Sequence, residues 1–261
     1  MRVVCFQLNI QWEDKEANYA TIDRMLEQTM PQPGSLVVLP EMFSTGFSMN
    51  VQSIAEGEPS QTVAFLTRCA RKFGVWMLGG LVTTFPNGRG RNEAVVVNPH
   101  GIETSRYSKI HPFTFGREGD FYSGGDEIKM FEWDGLVVAP FICYDLRFPE
   151  VFRLAMQKGA QFFPVIANWP AAREEHWITL LKARAIENQA YVAGVNRCGV
   201  DLKLEYSGRS VILDPCGEVL ADAGNEQNVI SADVDVDAIE KWRAEFPALR
   251  DMRCEIGRVQ K

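Results

Sequence analysis

Three polar residues in this sequence, Glu41, Lys109 and Cys143, each come just after an apolar run that is typical of a buried strand. A cysteine can attack a carbonyl carbon, a carboxylate can take the thiol proton and return it, and a lysine can stabilise the oxyanion. Taken singly, each residue also has an ordinary structural explanation: a packing cysteine, a capping or surface acid, and a solvated lysine. Their joint placement favours acyl transfer through a thioester, because functional residues of α/β sheets collect at strand ends.

The sequence around Cys143 predicts a strand, a tight turn and a helix. The apolar run 136–142 is followed by Tyr144 and Asp145, and a helix is predicted from about 148 to 158, with Pro149 acceptable in its first turn. At such a junction, backbone N–H groups point outward and the helix dipole favours an anion. We therefore expect this position to lower the pKa of the thiol and to make the thiolate a nucleophile.

Length and composition narrow the class of protein. The chain has 261 residues, 46% of them hydrophobic, and no low-complexity or Pro/Gly-rich linker divides it. We expect a single domain over residues 1–261, with a core of about 1–245 and a tail of about 246–261. The formal net charge of −7 argues against nucleic acid or an anionic membrane as a partner. No apolar run is long enough to span a membrane, and the first residues predict a strand rather than a signal peptide.

The cysteines and histidines give no sign of a metal site. The six cysteines lack CxxC or other metal-binding spacing, so we expect free thiols in a cytoplasmic protein. His100, His111 and His176 are scattered along the sequence. We expect His111 to be a hydrogen-bonded structural residue, although it could touch a substrate. The sequence therefore predicts chemistry with no metal and no cofactor.

The order of predicted elements favours a layered α/β sandwich over a doubly wound sheet or a (β/α)₈ barrel, because hairpins are mixed with strand–helix alternation. A loop at 109–127 shows little periodicity, and a loop of that length inside a compact domain is usually functional. Helices are predicted at about 15–30, 60–73, 148–158, 174–189 and 238–245. Strands are predicted at about 2–10, 36–39, 75–84, 94–98, 102–107, 128–131, 136–142, 162–167, 191–196, 207–213, 218–221 and 229–234.

Three segments carry a resemblance to a known family. Residues 39–43, 107–111 and 142–150 resemble, in order and spacing, the Glu, Lys and Cys signatures of the nitrilase (carbon–nitrogen hydrolase) superfamily. The similarity extends along nearly the whole chain. Within the superfamily the sequence is most similar to the ω-amidase branch, on residues 143–150 and on His176 with Trp177. The resemblance implies an α/β fold, the four-layer α-β-β-α sandwich of the nitrilase type, and assembly as a homodimer or higher homo-oligomer.

The same resemblance implies a role for each matching residue. Cys143 would be the nucleophile, Glu41 the general base and Lys109 the oxyanion cation. The backbone N–H of Tyr144 would be a second oxyanion donor. Glu118 resembles the further glutamate that family amidases carry ahead of a Gly-aromatic stretch.

The resemblance also implies the substrate: the terminal amide of a small monoamide such as 2-oxoglutaramate or 2-oxosuccinamate, hydrolysed to acid plus ammonia. Its remote carboxylate needs a cation, and Arg173, between a strand end and a predicted helix, is our candidate. An ion pair of Arg173 with Glu174 or Glu175 is the alternative. Phe113 and Trp169 could form walls of the pocket or simply belong to the core.

Other functions share some of these features. A nitrilase or an N-carbamoyl amide hydrolase would use the same Cys-Glu-Lys set, and a catalytically inactive scaffold would keep only the fold. A papain-like enzyme would need a histidine base, and none of the three histidines has the accompanying features. The tail, with Cys254 as a candidate exposed thiol, matches no pattern.

Overall fold

A computed structural model of the protein describes residues 1–85 and 88–253, so Cys254 and the residues after it lie outside the described part. The described helices are α1 (Lys15–Thr29), α2 (Val51–Ile54), α3 (Gln61–Phe73), α4 (Glu118–Phe121), α5 (Pro149–Gln157), α6 (Glu174–Asn188) and α7 (Val236–Glu245). The described strands are β1 (Arg2–Gln7), β2 (Leu36–Val38), β3 (Trp76–Thr84), β4 (Gly90–Val97), β5 (Glu103–Ser108), β6 (Phe131–Trp133), β7 (Leu136–Val138), β8 (Phe141–Ile142), β9 (Phe162–Ala167), β10 (Tyr191–Asn196), β11 (Cys198–Val200), β12 (Glu205–Ser207), β13 (Val211–Leu213), β14 (Val219–Asp222) and β15 (Asn228–Asp233).

The strands form two larger mixed sheets and one small hairpin. The first sheet has the order β15-β1-β2-β3-β4-β5, and the second has the order β14-β13-β10-β9-β7-β6 with β8 also paired to β9. In each sheet the middle strands are parallel and the outer pairs are antiparallel. Strands β11 and β12 pair with each other, and Cys198 of β11 also forms a single parallel bridge with Asn9 after β1. Because the central strands of each sheet run parallel, several of their ends lie at the same edge of the sheet.

The two sheets pack face to face between layers of helices. Along β1, Val3 and Cys5 belong to the cluster between the sheets, whereas Val4 and Phe6 pack with α1 and α3. This alternation follows from the two-residue period of a strand. On the second sheet, the buried side chains of α5 and α6, such as Phe152, join the larger cluster. The predicted four-layer α-β-β-α sandwich is confirmed.

Local chemistry explains where several helices begin and end. The Asp14 carboxylate accepts from the Ala17 N–H at 3.0 Å and starts α1, as the sequence predicted. The Ser60 hydroxyl accepts from the Val63 N–H at 3.1 Å and starts α3. Gly74 ends α3 in the left-handed region, with φ of 66°. No helix in the described ranges is both long and apolar enough to cross a bilayer.

The predicted elements differ from the observed ones at two places that border the site. The loop at 109–127 is not structureless, because it contains a 3₁₀ turn at Thr114–Gly116 and then α4. The strand predicted at 207–213 is wrong: Gly208 and Arg209 both have positive φ, 68° and 54°, and separate β12 from β13. Two consecutive left-handed residues cannot continue a pleated strand. The β11–β12 hairpin and α2 were not predicted.

Candidate active site

Glu41, Lys109 and Cys143 come together where strands of both sheets end. Glu41 lies beyond β2, Lys109 directly follows β5, and Cys143 directly follows β8 at the start of a 3₁₀ turn, Cys143–Arg147. Gly80 on β3 permits this arrangement, because a Cβ there would lie 2.7 Å from the Glu41 Cα. The fold thus brings together three residues that are far apart along the chain.

A buried lysine joined to two carboxylates forms the polar centre. The Lys109 Nζ lies 3.0 Å from Oε1 of Glu41 and 2.8 Å from Oε2 of Glu118. Burial alone would lower the pKa of Lys109, but the charges of Glu118 and Glu41 outweigh it and hold that pKa well above its ordinary value. Lys109 therefore stays cationic. Glu118, at the start of α4, also accepts from the Phe113 N–H at 2.5 Å.

Two asparagines that the sequence did not single out hold the carboxylates. Nδ2 of Asn92 donates to Glu41 Oε1 at 2.7 Å and to Glu118 Oε1 at 3.0 Å. The Asn168 N–H donates to Glu41 Oε2 at 2.8 Å, and its Nδ2 donates to the Glu41 carbonyl at 2.7 Å. Their sequence signal is modest: Asn92 is an amide in a buried strand, and Asn168 directly follows the apolar strand β9. Glu41 consequently has one fixed orientation.

The Cys143 thiol does not have the lowered pKa that the sequence predicted. Burial raises it well above the ordinary value, the charges of Glu41 and Glu118 raise it further, and Lys109 only partly opposes them. The helix begins close to where it was predicted, at Pro149 after the 3₁₀ turn, but burial and the two carboxylates decide the direction of the pKa shift. Cys143 itself has a φ of 47°, a left-handed conformation that is uncommon outside glycine. The resting thiol therefore keeps its proton at neutral pH.

A pocket opens onto Cys143. Three residues predicted for substrate contact, Phe113, Trp169 and Arg173, all line it, together with Tyr144. The complete lining consists of Phe47, Phe113, Cys143, Tyr144, Arg147, Asn168, Trp169, Pro170, Arg173, Leu204 and Tyr206. The walls are largely apolar, and Arg147 and Arg173 supply the charged groups of the lining. A charged ligand group in the pocket would therefore face their guanidinium groups.

The two guanidinium groups of the pocket have no carboxylate partner among the described residues. Arg173 lies over the Phe113 ring at 5.5 Å from its centroid, and its alternative ion pair is formed with neither Glu174, which pairs with Arg209, nor Glu175, which accepts from the Thr179 hydroxyl. Arg147, which the sequence did not single out, lies over the Trp169 ring at 4.8 Å. Its sequence signal was its place four residues after Cys143.

The described residues contain no cluster of three His, Cys, Asp or Glu side chains arranged to hold a metal ion. Cysteines 5, 69, 143, 198 and 216 are all free thiols. The polar centre instead consists of one cation and two carboxylates beside a thiol. Such a set can transfer a proton from the thiol, stabilise an oxyanion and protonate a leaving amine.

Comparison with known sequences decides the family. A sequence model of the family described as carbon–nitrogen hydrolase matches residues 2–244. The chain belongs to the carbon–nitrogen hydrolase family. The predicted relationship to the nitrilase superfamily is thereby confirmed.

Curated relatives and solved structures place this carbon–nitrogen hydrolase more closely. It is 39% identical to the omega-amidase YafV of Yersinia enterocolitica over 253 residues, which cover 96% of each chain. It is 33% identical to the 2-oxoglutaramate amidase of Bacillus subtilis over 97% of this chain and 98% of the relative. Its fold superposes on a Xanthomonas campestris protein of the same superfamily, which carries an arsenic adduct in its active site, with a TM-score of 0.90 and 34% identity over 97% of each chain.

Proposed function

We propose that this carbon–nitrogen hydrolase is an ω-amidase, which hydrolyses the terminal amide of 2-oxoglutaramate or 2-oxosuccinamate to the acid and ammonia. The observation that carries the proposal is a thiol beside a buried Glu41–Lys109–Glu118 centre, at the base of a pocket that also holds two guanidinium groups with no carboxylate partner among the described residues. The names of the relatives in Yersinia and Bacillus support the same substrate class.

In the proposed mechanism, the neutral thiol of Cys143 attacks the amide carbonyl as its proton passes to Glu41. Glu41 then returns that proton to the leaving nitrogen, the C–N bond of the tetrahedral intermediate breaks, and ammonia departs to leave the thioester on Cys143. A water molecule, deprotonated by Glu41, hydrolyses the thioester and regenerates the thiol. The oxyanion of each tetrahedral intermediate is stabilised by the Lys109 ammonium and the Tyr144 backbone N–H.

Glu118 has a supporting role in this proposal. It shares the Lys109 ammonium with Glu41, and Asn92 links the two carboxylates. Lys109 can therefore turn toward the oxyanion while one carboxylate continues to neutralise it. Glu118 also fixes the Phe113 backbone, which positions an aromatic wall of the pocket.

Arg173 and Arg147 provide the proposed carboxylate site. A guanidinium group binds a carboxylate through two parallel hydrogen bonds, and neither arginine has an acidic partner among the described residues to displace first. The apolar walls around them suit the short methylene chain of the substrate. A 2-oxo acid also offers a carbonyl oxygen as a further acceptor beside its carboxylate.

The test is ammonia release from 2-oxoglutaramate, 2-oxosuccinamate, glutamine, asparagine, a neutral aliphatic amide, a simple nitrile and an N-carbamoyl amino acid. We expect the two 2-oxo amides to be the best substrates. Arg173→Met should reduce kcat/KM for 2-oxoglutaramate, chiefly through a higher KM. The loss of transition-state binding free energy should be roughly 2–4 kcal/mol, and much smaller for the neutral amide. Arg147→Met should act in the same direction, and Arg24→Met, on the exposed face of α1, is the control.

Other results of the panel would replace the proposal. Preference for the nitrile indicates a nitrilase, and preference for the ureido acid indicates an N-carbamoyl amide hydrolase. No turnover of any substrate by the folded protein indicates an inactive scaffold. Equal losses for charged and neutral amides in Arg173→Met would remove Arg173 from the carboxylate site.

We also propose a single-domain enzyme that works in the cytoplasm as a homodimer or larger homo-oligomer. The family match over residues 2–244 supports one domain, and free thiols suit a reducing compartment. Large exposed apolar side chains on α5, on α6 and after α7, namely Leu154, Ile186 and Phe246, support self-association. Sedimentation velocity over a range of concentrations tests the assembly, and a monomer at every concentration would contradict it.

A further inference from the structure

Asp145 is a buried carboxylate that collects four hydrogen-bond donors next to the nucleophile turn. Its Oδ2 accepts from the Tyr107 hydroxyl at 2.7 Å and from the Ile142 N–H at 3.2 Å. Its Oδ1 accepts from the His111 N–H at 3.0 Å and faces the His111 Nδ1 at 2.8 Å. Because a carboxylate can only accept, Nδ1 is the protonated nitrogen of that ring. The side chain is fully excluded from solvent.

The donors come from the two segments that carry Lys109 and Cys143, and the proposed chemistry depends on the relative position of these segments. Tyr107 and His111 lie two residues before and two residues after Lys109, whereas Ile142 directly precedes Cys143. We infer that Asp145 is a positioning residue, which holds the segment carrying Lys109 against the turn carrying Cys143. The inference rests on the proposed roles of those two residues and adds Asp145, His111 and Tyr107 to the machinery that aligns them.

Only a carboxylate satisfies this set of donors. An amide at position 145 would have one accepting oxygen, and its NH₂ would face either the Tyr107 hydroxyl and the Ile142 N–H or both His111 donors. The backbone N–H groups of Ile142 and His111 cannot accept a hydrogen bond, so either orientation leaves one of them facing the NH₂, and burial alone keeps the pKa of Tyr107 above its ordinary value and the phenol protonated. The network therefore has one stable arrangement as long as residue 145 is an acid.

Aromatic contacts extend this network to the pocket. The His111 ring stacks on Phe148 with centroids 3.8 Å apart and planes within 10°. Phe148 and Tyr144 contact each other edge to face, and Tyr144 contacts Phe113 in the same way, with ring centroids 4.9 Å apart. The turn between Cys143 and Asp145 thus carries the proposed oxyanion N–H of Tyr144 as well as the left-handed Cys143. Loss of the Asp145 carboxylate would therefore free Cys143, the Tyr144 N–H and the stacked aromatic rings to move together.

The experiment compares Asp145→Asn with Glu56→Gln, a matched control at another buried carboxylate that accepts four hydrogen bonds, from Lys15, Ser60 and Thr62. Two milder variants test the same network: Tyr107→Phe removes only the hydroxyl, and His111→Phe keeps a stacking ring but removes the Nδ1 donor. Each folded enzyme is assayed for kcat, KM and melting temperature. The pH dependence of Cys143 alkylation by iodoacetamide is measured on the Cys143 peptide by mass spectrometry.

We expect Asp145→Asn to lower kcat by about 100-fold with KM within about threefold, since a misplacement near 1 Å costs that much. Tyr107→Phe and His111→Phe should each lose roughly tenfold, the range for one hydrogen bond to a charged group. Because Lys109 lowers the pKa of Cys143, its displacement should move alkylation to higher pH. Glu56→Gln should lower only the melting temperature.

A purely structural role would give a different pattern: lower melting temperatures, as in Glu56→Gln, with wild-type kcat and a wild-type alkylation profile in the folded fraction. That pattern in Tyr107→Phe and His111→Phe would overturn the inference even if Asp145→Asn fails to fold. The alkylation profile needs no substrate, so it judges the positioning role separately. Ammonia release by Cys143→Ala would refute the proposed function instead.

Discussion

The substitution Glu41→Gln separates the two ways in which the carboxylate could assist the thiol. Both carboxylate oxygens are occupied, Oε1 by Lys109 at 3.0 Å and Asn92 at 2.7 Å, and Oε2 by the Asn168 N–H at 2.8 Å. Glutamine keeps the shape of the side chain but removes its charge and its ability to take a proton. Lys109 remains anchored by Glu118 at 2.8 Å, so the cation stays in place.

The expected loss of turnover is large because Glu41 acts in both halves of the proposed reaction. Removing a general base costs about 10²–10⁴ in rate. With proton transfer needed in acylation and again in deacylation, we expect kcat to fall toward the upper part of that range, about 10³–10⁴. At about 1.36 kcal/mol for each factor of ten, this corresponds to roughly 4–5.5 kcal/mol of transition-state stabilisation.

Thiol reactivity should change in the opposite direction. Glu41 raises the pKa of the Cys143 thiol, and Lys109 lowers it. In Glu41→Gln the larger of the two raising charges is gone while Lys109 remains, so the pKa of Cys143 falls and more thiolate is present at neutral pH. Alkylation of Cys143 by iodoacetamide should therefore become faster while amide hydrolysis nearly stops.

The assay measures ammonia release and peptide-resolved alkylation on the same samples, because the exposed Cys216 also reacts. Glu56→Gln serves as the control for loss of a buried carboxylate outside the site. If alkylation slows in parallel with hydrolysis, Glu41 generates the thiolate in the resting enzyme, and the argument from charge is refuted.

Three further predictions concern the neighbours of Glu41. Cys143→Ala should reduce ammonia release to below about a thousandth of wild type at an unchanged melting temperature, and a faster variant would remove Cys143 as the nucleophile. Alkylation of Cys143 in the wild type should still be increasing above pH 9, because its raised pKa shifts the thiolate to high pH; a plateau below pH 8 would contradict this. Asn92→Leu should destabilise the fold by about 2–3 kcal/mol in urea unfolding, since it leaves Glu41 and Glu118 each short of a buried donor. An unchanged unfolding midpoint would show that the carboxylates find other partners.

The sequence by itself determined the three strand-terminal residues and the fold class. Glu41, Lys109 and Cys143 could be identified because each follows an apolar run, and an apolar run of that length is a local signal of a buried strand. The Glu, Lys and Cys signatures around them carried the resemblance to the family, and with it the four-layer sandwich. Helices with a clear cap, such as α1 behind Asp14, were also predictable from a few adjacent residues.

Tertiary structure alone decided which partners surround those residues. Asn168 meets Glu41 across 127 positions of sequence, and Asp145 meets His111 across 34. The β11–β12 hairpin brings Leu204 and Tyr206 to the pocket although its strands are too short to predict. No local pattern encodes such contacts, because they depend on how the two sheets pack.

The sign of the Cys143 pKa shift shows the physical reason most clearly. The local sequence, a strand followed by a helix, predicted a stabilised thiolate. In the folded chain, burial and the charges of Glu41 and Glu118 outweigh both the turn and the Lys109 cation. Desolvation and charge–charge interactions depend on distances between residues that are remote in sequence, so only the folded structure could determine that the resting thiol is neutral.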